Sequence, residues 1–258
     1  MALISRKILT LVIVGVMAAS AAPVLAQDAE PPDAIALRSV DPDAVAAARR
    51  MGNALRMLTS FEVRTTASVE EVVDDDGTKI TIDWTNLYRV RRPDAFYVEA
   101  RSAGMTREFW YDGSQFTVAL PRRGFYAQTA APATIQGVLD DAYDRFGIAL
   151  PLADIFTWGV VDLPEDILRV AVKVGDARIG DVETEQYLFE TDALAWQVWI
   201  PKSEQALPAK IVITTLDEPG RPSYTALLDW TPSARFASTT FTYVPPTAAR
   251  PIAMATIQ

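Results

Sequence analysis

The groupings of side chains that could do chemistry in this sequence are few, and each has a plainer reading. Its 258 residues include neither cysteine nor histidine. That removes thiol nucleophiles, disulfides, Cys or His metal sites and every Ser-His or Cys-His pair. Carboxylates, lysines and hydroxyls remain. Asp74-Asp75-Asp76-Gly77 lacks the spaced oxygen ligands and terminal Glu of a calcium loop, and Asp-Gly between alternating segments marks a hairpin tip. Asp140, Asp141 and Asp144 lie beside Arg145 at helical spacing, where a solvated face accounts for them. Ser203 directly follows Lys202, without the Ser-x-x-Lys spacing that sets nucleophile and base on one helix face. A glycosidase needs two carboxylates at a set separation, which no spacing here specifies. The expectation is a protein that is not an enzyme and uses no cofactor and no metal.

Composition narrows the partners. Acidic residues outnumber basic ones 33 to 24, for a formal charge of -9. This disfavours nucleic acid, whose phosphates call for a basic face, and anionic membrane surfaces. With 50% hydrophobic and 22% charged residues, the chain has the apolar mass for a packed core. Its start has the grammar of a secretory signal peptide: Arg6-Lys7, an apolar run from Ile8 to Met17, and small residues ending Val24-Leu25-Ala26. Cleavage after Ala26 is expected. The run is about half of the ~20 residues that span a bilayer, and no later stretch approaches that length. No cysteine follows the cut for lipidation. The expectation is an exported, soluble, monomeric protein, not an integral membrane protein.

The elements that must position any site follow from periodicity. Residues 27–40, with Pro31-Pro32 and no aromatics, suggest a flexible N-terminal segment. Asp41 caps a helix with Pro42 in its first turn, and Val45, Ala48, Met51, Leu55 and Leu58 share one face. From Phe61 the period becomes two, and the Asp74–Gly77 turn leads into Ile80, Ile82 and Trp84, making a long hairpin. Further strands follow at short intervals, bounded by Gly, Pro or Asp. A helical stretch over 132–146, with Pro151–Trp158 as a second short helix, interrupts them. The simplest architecture is mainly β in the α+β class: a strongly curved antiparallel half-barrel of about eleven strands with a helical lid. Residues 41–251 form a single domain in this reading, and 252–258 a C-terminal tail.

The order and spacing of short motifs carry a resemblance. Leu58-Thr-Ser-Phe61, the acidic-Gly hairpin, Val90-Arg91-Arg92-Pro93-Asp94, Trp110-Tyr111-Asp112-Gly113 and Phe241-Thr-Tyr-Val-Pro245-Pro246 resemble the periplasmic lipoprotein carriers, the LolA/LolB-like fold. Phe125-Tyr-Ala-Gln128 through Leu150-Pro-Leu-Ala-Asp154, with Pro208–Ile213 and Asp229-Trp230, resemble more narrowly the predicted periplasmic family DUF2092 of that superfamily. The resemblance covers about Asp41 to Pro251. It implies a periplasmic binder or carrier whose concave apolar face, under a lid of helices, holds a hydrophobic ligand such as a lipid or the acyl chain of a lipoprotein. The alternative it leaves open is an envelope sensor or protein-interaction module on the same scaffold, with an envelope protein as partner.

A curved sheet closed by helices either fills with side chains or encloses a ligand, according to the bulk of its inward residues. Trp84, Phe96, Val98, Phe116, Trp196 and Tyr224 are the candidate ligand-binding residues, with ordinary core packing as the other account of each. By the resemblance, Arg92 is the lid latch, reaching from the sheet to hold the helices. Arg91 competes for that role, since a one-residue register shift exchanges the faces.

Overall fold

The computed structural model describes residues 39–150, 152 and 165–257. The signal peptide, most of the N-terminal segment and most of the expected helix at Pro151–Trp158 lie outside the described residues. Thirteen strands form one sheet in the order β1-β8-β9-β10-β11-β12-β2-β3-β4-β5-β6-β7-β13. One antiparallel meander comprises β2 (Ser60–Val72), β3 (Lys79–Arg91), β4 (Ala95–Ser102), β5 (Met105–Tyr111), β6 (Gln115–Leu120) and β7 (Phe125–Ala130). A second comprises β8 (Val170–Ile179), β9 (Val182–Glu190), β10 (Leu194–Pro201), β11 (Lys210–Thr215) and β12 (Ser223–Pro232). They join where β12 pairs with β2, from Tyr224 opposite Val69 to Pro232 opposite Phe61. The result is an open, curved half-barrel with two helices on its concave side.

The strand count exceeds the expected eleven because each edge carries a two-residue strand. β1 (Ser39–Val40) pairs parallel with β8, and β13 (Arg250–Pro251) parallel with β7. The edges are thus not antiparallel. Two residues have no period to detect, so such strands exist only through their neighbours. Ser39 and Val40, expected within the flexible segment, are ladder residues. The stretch after β13 runs along a helix rather than trailing free: Met254 packs on the core and the Ile257 amide donates to the Arg145 carbonyl at 2.9 Å.

Helix α1 (Pro42–Arg56) begins as its cap chemistry dictates. The Asp41 carboxylate accepts from the Asp43 amide, occupying a donor left over in the first turn. Its N-terminal half buries Ala44, Val45, Ala47 and Ala48 against Ala171, Tyr187, Phe189, Val198 and Ile200 of β8–β10. Its end delivers Leu55, followed by Leu58, to a larger core. Helix α2 (Ile135–Phe146) starts where Thr134 Oγ1 accepts from the Gly137 amide and stops at Gly147, left-handed at φ 63°. It presents Ile135, Val138, Leu139 and Ala142 to the same larger core.

The convex side is covered too. Ala95 and Tyr97 of β4 pack beneath Phe241 with Leu87, Trp110 and Phe236. This is why four consecutive residues, Ala95 to Val98, are all buried: alternate side chains enter different cores.

Candidate functional site

The concave face is built from inward positions set by the ladder. Phe109, Val98, Tyr88 and Val63 stand opposite one another across β5, β4, β3 and β2, and all four lie in the core beneath α2. Among the sequence candidates, Trp84, Phe96, Val98, Phe116 and Tyr224 belong to that core. Trp196 packs against that core and also against the one beneath α1. It is partly buried at the junction of the two concave-side cores and stacks on Phe189 at 5.6 Å, 19° between planes. Phe96 and Val98 are 0% exposed and Phe116 1%. Phe96 meets Tyr111 at 5.4 Å and Phe116 at 6.4 Å between centroids. These side chains pack on one another and on α2.

The middle of this face is polar. Thr65, Asn86, Tyr88 and Tyr224 are all buried. Asn86 Nδ2 donates to Thr65 Oγ1 at 3.0 Å, while Asn86 Oδ1 has no partner. Burial pushes the Tyr88 and Tyr224 phenols well above their usual pKa. The Thr65 and Tyr88 side chains pull Tyr224 back in part, yet neither stands in hydrogen-bonding geometry to its oxygen.

The turn between β3 and β4 fastens both helices. Arg92 Nη1 donates to the carbonyls of Leu55 at 2.6 Å and Leu58 at 3.0 Å, with the Arg56 carbonyl at 3.4 Å. These are carbonyls at and just past the end of α1, where the Leu55 carbonyl also accepts from the Leu58 amide at 3.2 Å, and a guanidinium suits them through its several donors and its charge near the negative helix end. The guanidinium lies 5.6 Å from the Phe61 ring centroid, and burial lowers its pKa. One residue on, the Pro93 carbonyl accepts from the Ile135 amide at the start of α2, at 3.0 Å. The Tyr111 hydroxyl also donates to the Pro132 carbonyl just before α2; burial, and secondarily Asp94 and Asp112, push its pKa to about 12. Arg91 faces away, bonded to Asp94 at 3.2 Å on the surface and 5.2 Å from the Phe241 ring centroid.

One inward residue escaped the sequence reading. Arg107 shares a face with Phe109 and Tyr111, and it is partly buried. The available signal was parity: in Arg107-Glu-Phe-Trp-Tyr111 the arginine is in phase with two inward aromatics. Among the described residues no helix is long and apolar enough to cross a membrane, and none of their His, Cys, Asp and Glu side chains cluster as a metal site.

Comparisons with known proteins bear on what this arrangement is for. A family model described as "Predicted periplasmic protein (DUF2092)" matches residues 44–255. No curated protein sequence matches the chain. Among solved structures, the lipoprotein LppX of Mycobacterium tuberculosis is 14% identical, covering 76% of this chain and 99% of its own, with a TM-score of 0.46. A LolA superfamily protein, NE2245 of Nitrosomonas europaea, is 11% identical, covering 78% and 97%, with a TM-score of 0.29. The Pseudomonas aeruginosa MucA/MucB complex gives 16% identity, 78% and 61% coverage and a TM-score of 0.34.

Proposed function

The chain belongs to the DUF2092 family of predicted periplasmic proteins, and on that premise we propose that it is a non-catalytic periplasmic binder of a hydrophobic ligand, taken up between the concave sheet and its helices. The observation that carries this reading is the apolar, aromatic surface that runs from Phe109 and Val98 through Phe96 to Phe116, beneath α2 and the end of α1, with Trp84 on the far side of the polar row. Such a surface is held shut by few polar bonds: Arg92 at one helix end, and Pro93 and Tyr111 at the start of the other. When the helices part, that surface becomes available, and an acyl chain entering it gains ~0.8 kcal/mol per CH₂ removed from water. A lid secured at one corner suits reversible uptake and release. In this reading Trp84, Phe96, Val98, Phe116 and Tyr224 line the opened site, Trp196 lies at its border, and Arg92 is the latch.

A fluorescent fatty-acid probe added to the mature protein tests this directly. Saturable binding of one probe per protein, displaced by unlabelled lipid, is the expected result. If the probe fails to bind at any concentration where the protein stays monomeric, the concave face is a filled core and the reading is wrong.

A further inference from the structure

A cation stands on the concave face of β3–β6 with no carboxylate beside it among the described residues. Arg107 alternates along β5 with Phe109 and Tyr111, both in the core beneath α2. Across the ladder it stands opposite Ala100, Ala100 opposite Asn86, and Asn86 opposite Thr65. Every other inward position of β3, β4, β5 and β6 carries an uncharged side chain. Among the described residues Arg107 has no carboxylate or carbonyl partner, and the charge acting on it is a second cation, Arg123.

Packing does not explain such a residue. Withdrawing a guanidinium from water without an anion is unfavourable, and burial together with Arg123 lowers its pKa. Ala100 next to it contributes only a methyl group. Beyond Ala100 lies Asn86, whose Oδ1 is likewise unsatisfied. This row is therefore polar, whereas the next row, Phe109 with Val98, Tyr88 and Val63, consists of core side chains. From Arg107 to Tyr111 the strand runs about 14 Å, the scale of a medium-length acyl chain.

We propose that Arg107 anchors the head group of an anionic amphiphile, a carboxylate or phosphate joined to a hydrophobic chain that lies along Phe109, Val98 and Phe96. The planar donor fork of arginine fits either oxyanion through paired hydrogen bonds. This rests on the proposed function and specifies its ligand class: one negative head and one apolar chain.

Displacement of the neutral probe phenylnaphthylamine from the mature protein tests it, with laurate, dodecyl phosphate, dodecanol and inorganic phosphate as competitors. Laurate and dodecyl phosphate are expected to compete at least about tenfold better than dodecanol, the scale of one charge-assisted interaction. Inorganic phosphate should not compete. Arg107→Leu should abolish the advantage of the anions while leaving dodecanol and the melting temperature no worse, and Arg107→Lys should keep part of it. Equal competition by laurate and dodecanol, or an Arg107→Leu loss that falls equally on dodecanol, overturns the assignment of Arg107 and leaves apolar binding standing. Competition by inorganic phosphate overturns the amphiphile in favour of a free-anion site. A wild-type protein that binds neither the probe nor any amphiphile overturns the proposed function and this assignment together.

Discussion

Replacing Arg92 by leucine isolates the joint between sheet and helices. The guanidinium makes two short bonds to carbonyls, at 2.6 Å to Leu55 and 3.0 Å to Leu58, and a long third to Arg56 at 3.4 Å. Hydrogen bonds to charged groups contribute ~1.5–3 kcal/mol each, so the two short ones set a ceiling of about 3–6 kcal/mol. Two effects reduce it. Burial disfavours the charge, as its lowered pKa records, and leucine keeps apolar contact with Phe61. A net loss of about 2–3 kcal/mol is expected, which for a protein of this size lowers the melting temperature by roughly 5–10 °C. Arg91→Leu is the control. Its bond to Asp94 joins side chains that are 45% and 44% exposed, so it should cost under about 1 kcal/mol. Thermal and urea denaturation give both numbers. Dissociation of a bound fatty-acid probe then tests the latch, because a joint weakened by 2–3 kcal/mol raises the open population by about 30- to 150-fold and speeds release accordingly. If Arg92→Leu and Arg91→Leu behave alike in stability and release, the contact does not hold the lid. If only stability falls, Arg92 is a helix-end brace and nothing more.

Three further outcomes are expected. Phe96→Ala, at a position 0% exposed between Tyr111 and Phe116, should cost about 3–5 kcal/mol in urea denaturation, while Phe96→Asp should prevent folding rather than selectively remove binding; a folded Phe96→Asp protein would mean that this face is not packed. Burial raises the pKa of Tyr88, Tyr224 and Tyr111, the last to about 12 from a usual 10.0, so the stability tied to their neutral forms is complete below pH 10 and is lost as pH rises through 12; absorbance titration should show these phenols ionising together with unfolding, and free ionisation near pH 10 in the folded protein would contradict their burial. N-terminal sequencing of exported protein should begin at Gln27, and retention of Met1–Ala26 in a membrane fraction would make that segment an anchor.

Local chemistry was legible in the sequence because its causes lie within a few residues. Asp41 and Pro42 announced the start of α1, Asp74–Gly77 the hairpin between β2 and β3, and the spacing of Ile135, Val138, Leu139 and Ala142 the buried stripe of α2. The absence of cysteine and histidine excluded whole reaction classes outright. Tertiary structure alone decided what faces what. That Arg92 rather than Arg91 meets α1, and that Arg107 joins the inward aromatics, depends on strand register, which an isolated run of alternating residues leaves undefined. Ala95 and Tyr97 are buried on the convex side only because Phe236 and Phe241, far along the chain, fold over them. Trp196 shares the period of Trp84, yet it sits where two cores meet because the pairing of β12 with β2 sets the two meanders side by side. Period tells a side chain that it alternates; only the ladder, made by residues distant in sequence, tells it which interior it enters and which neighbours will neutralise or ignore its charge.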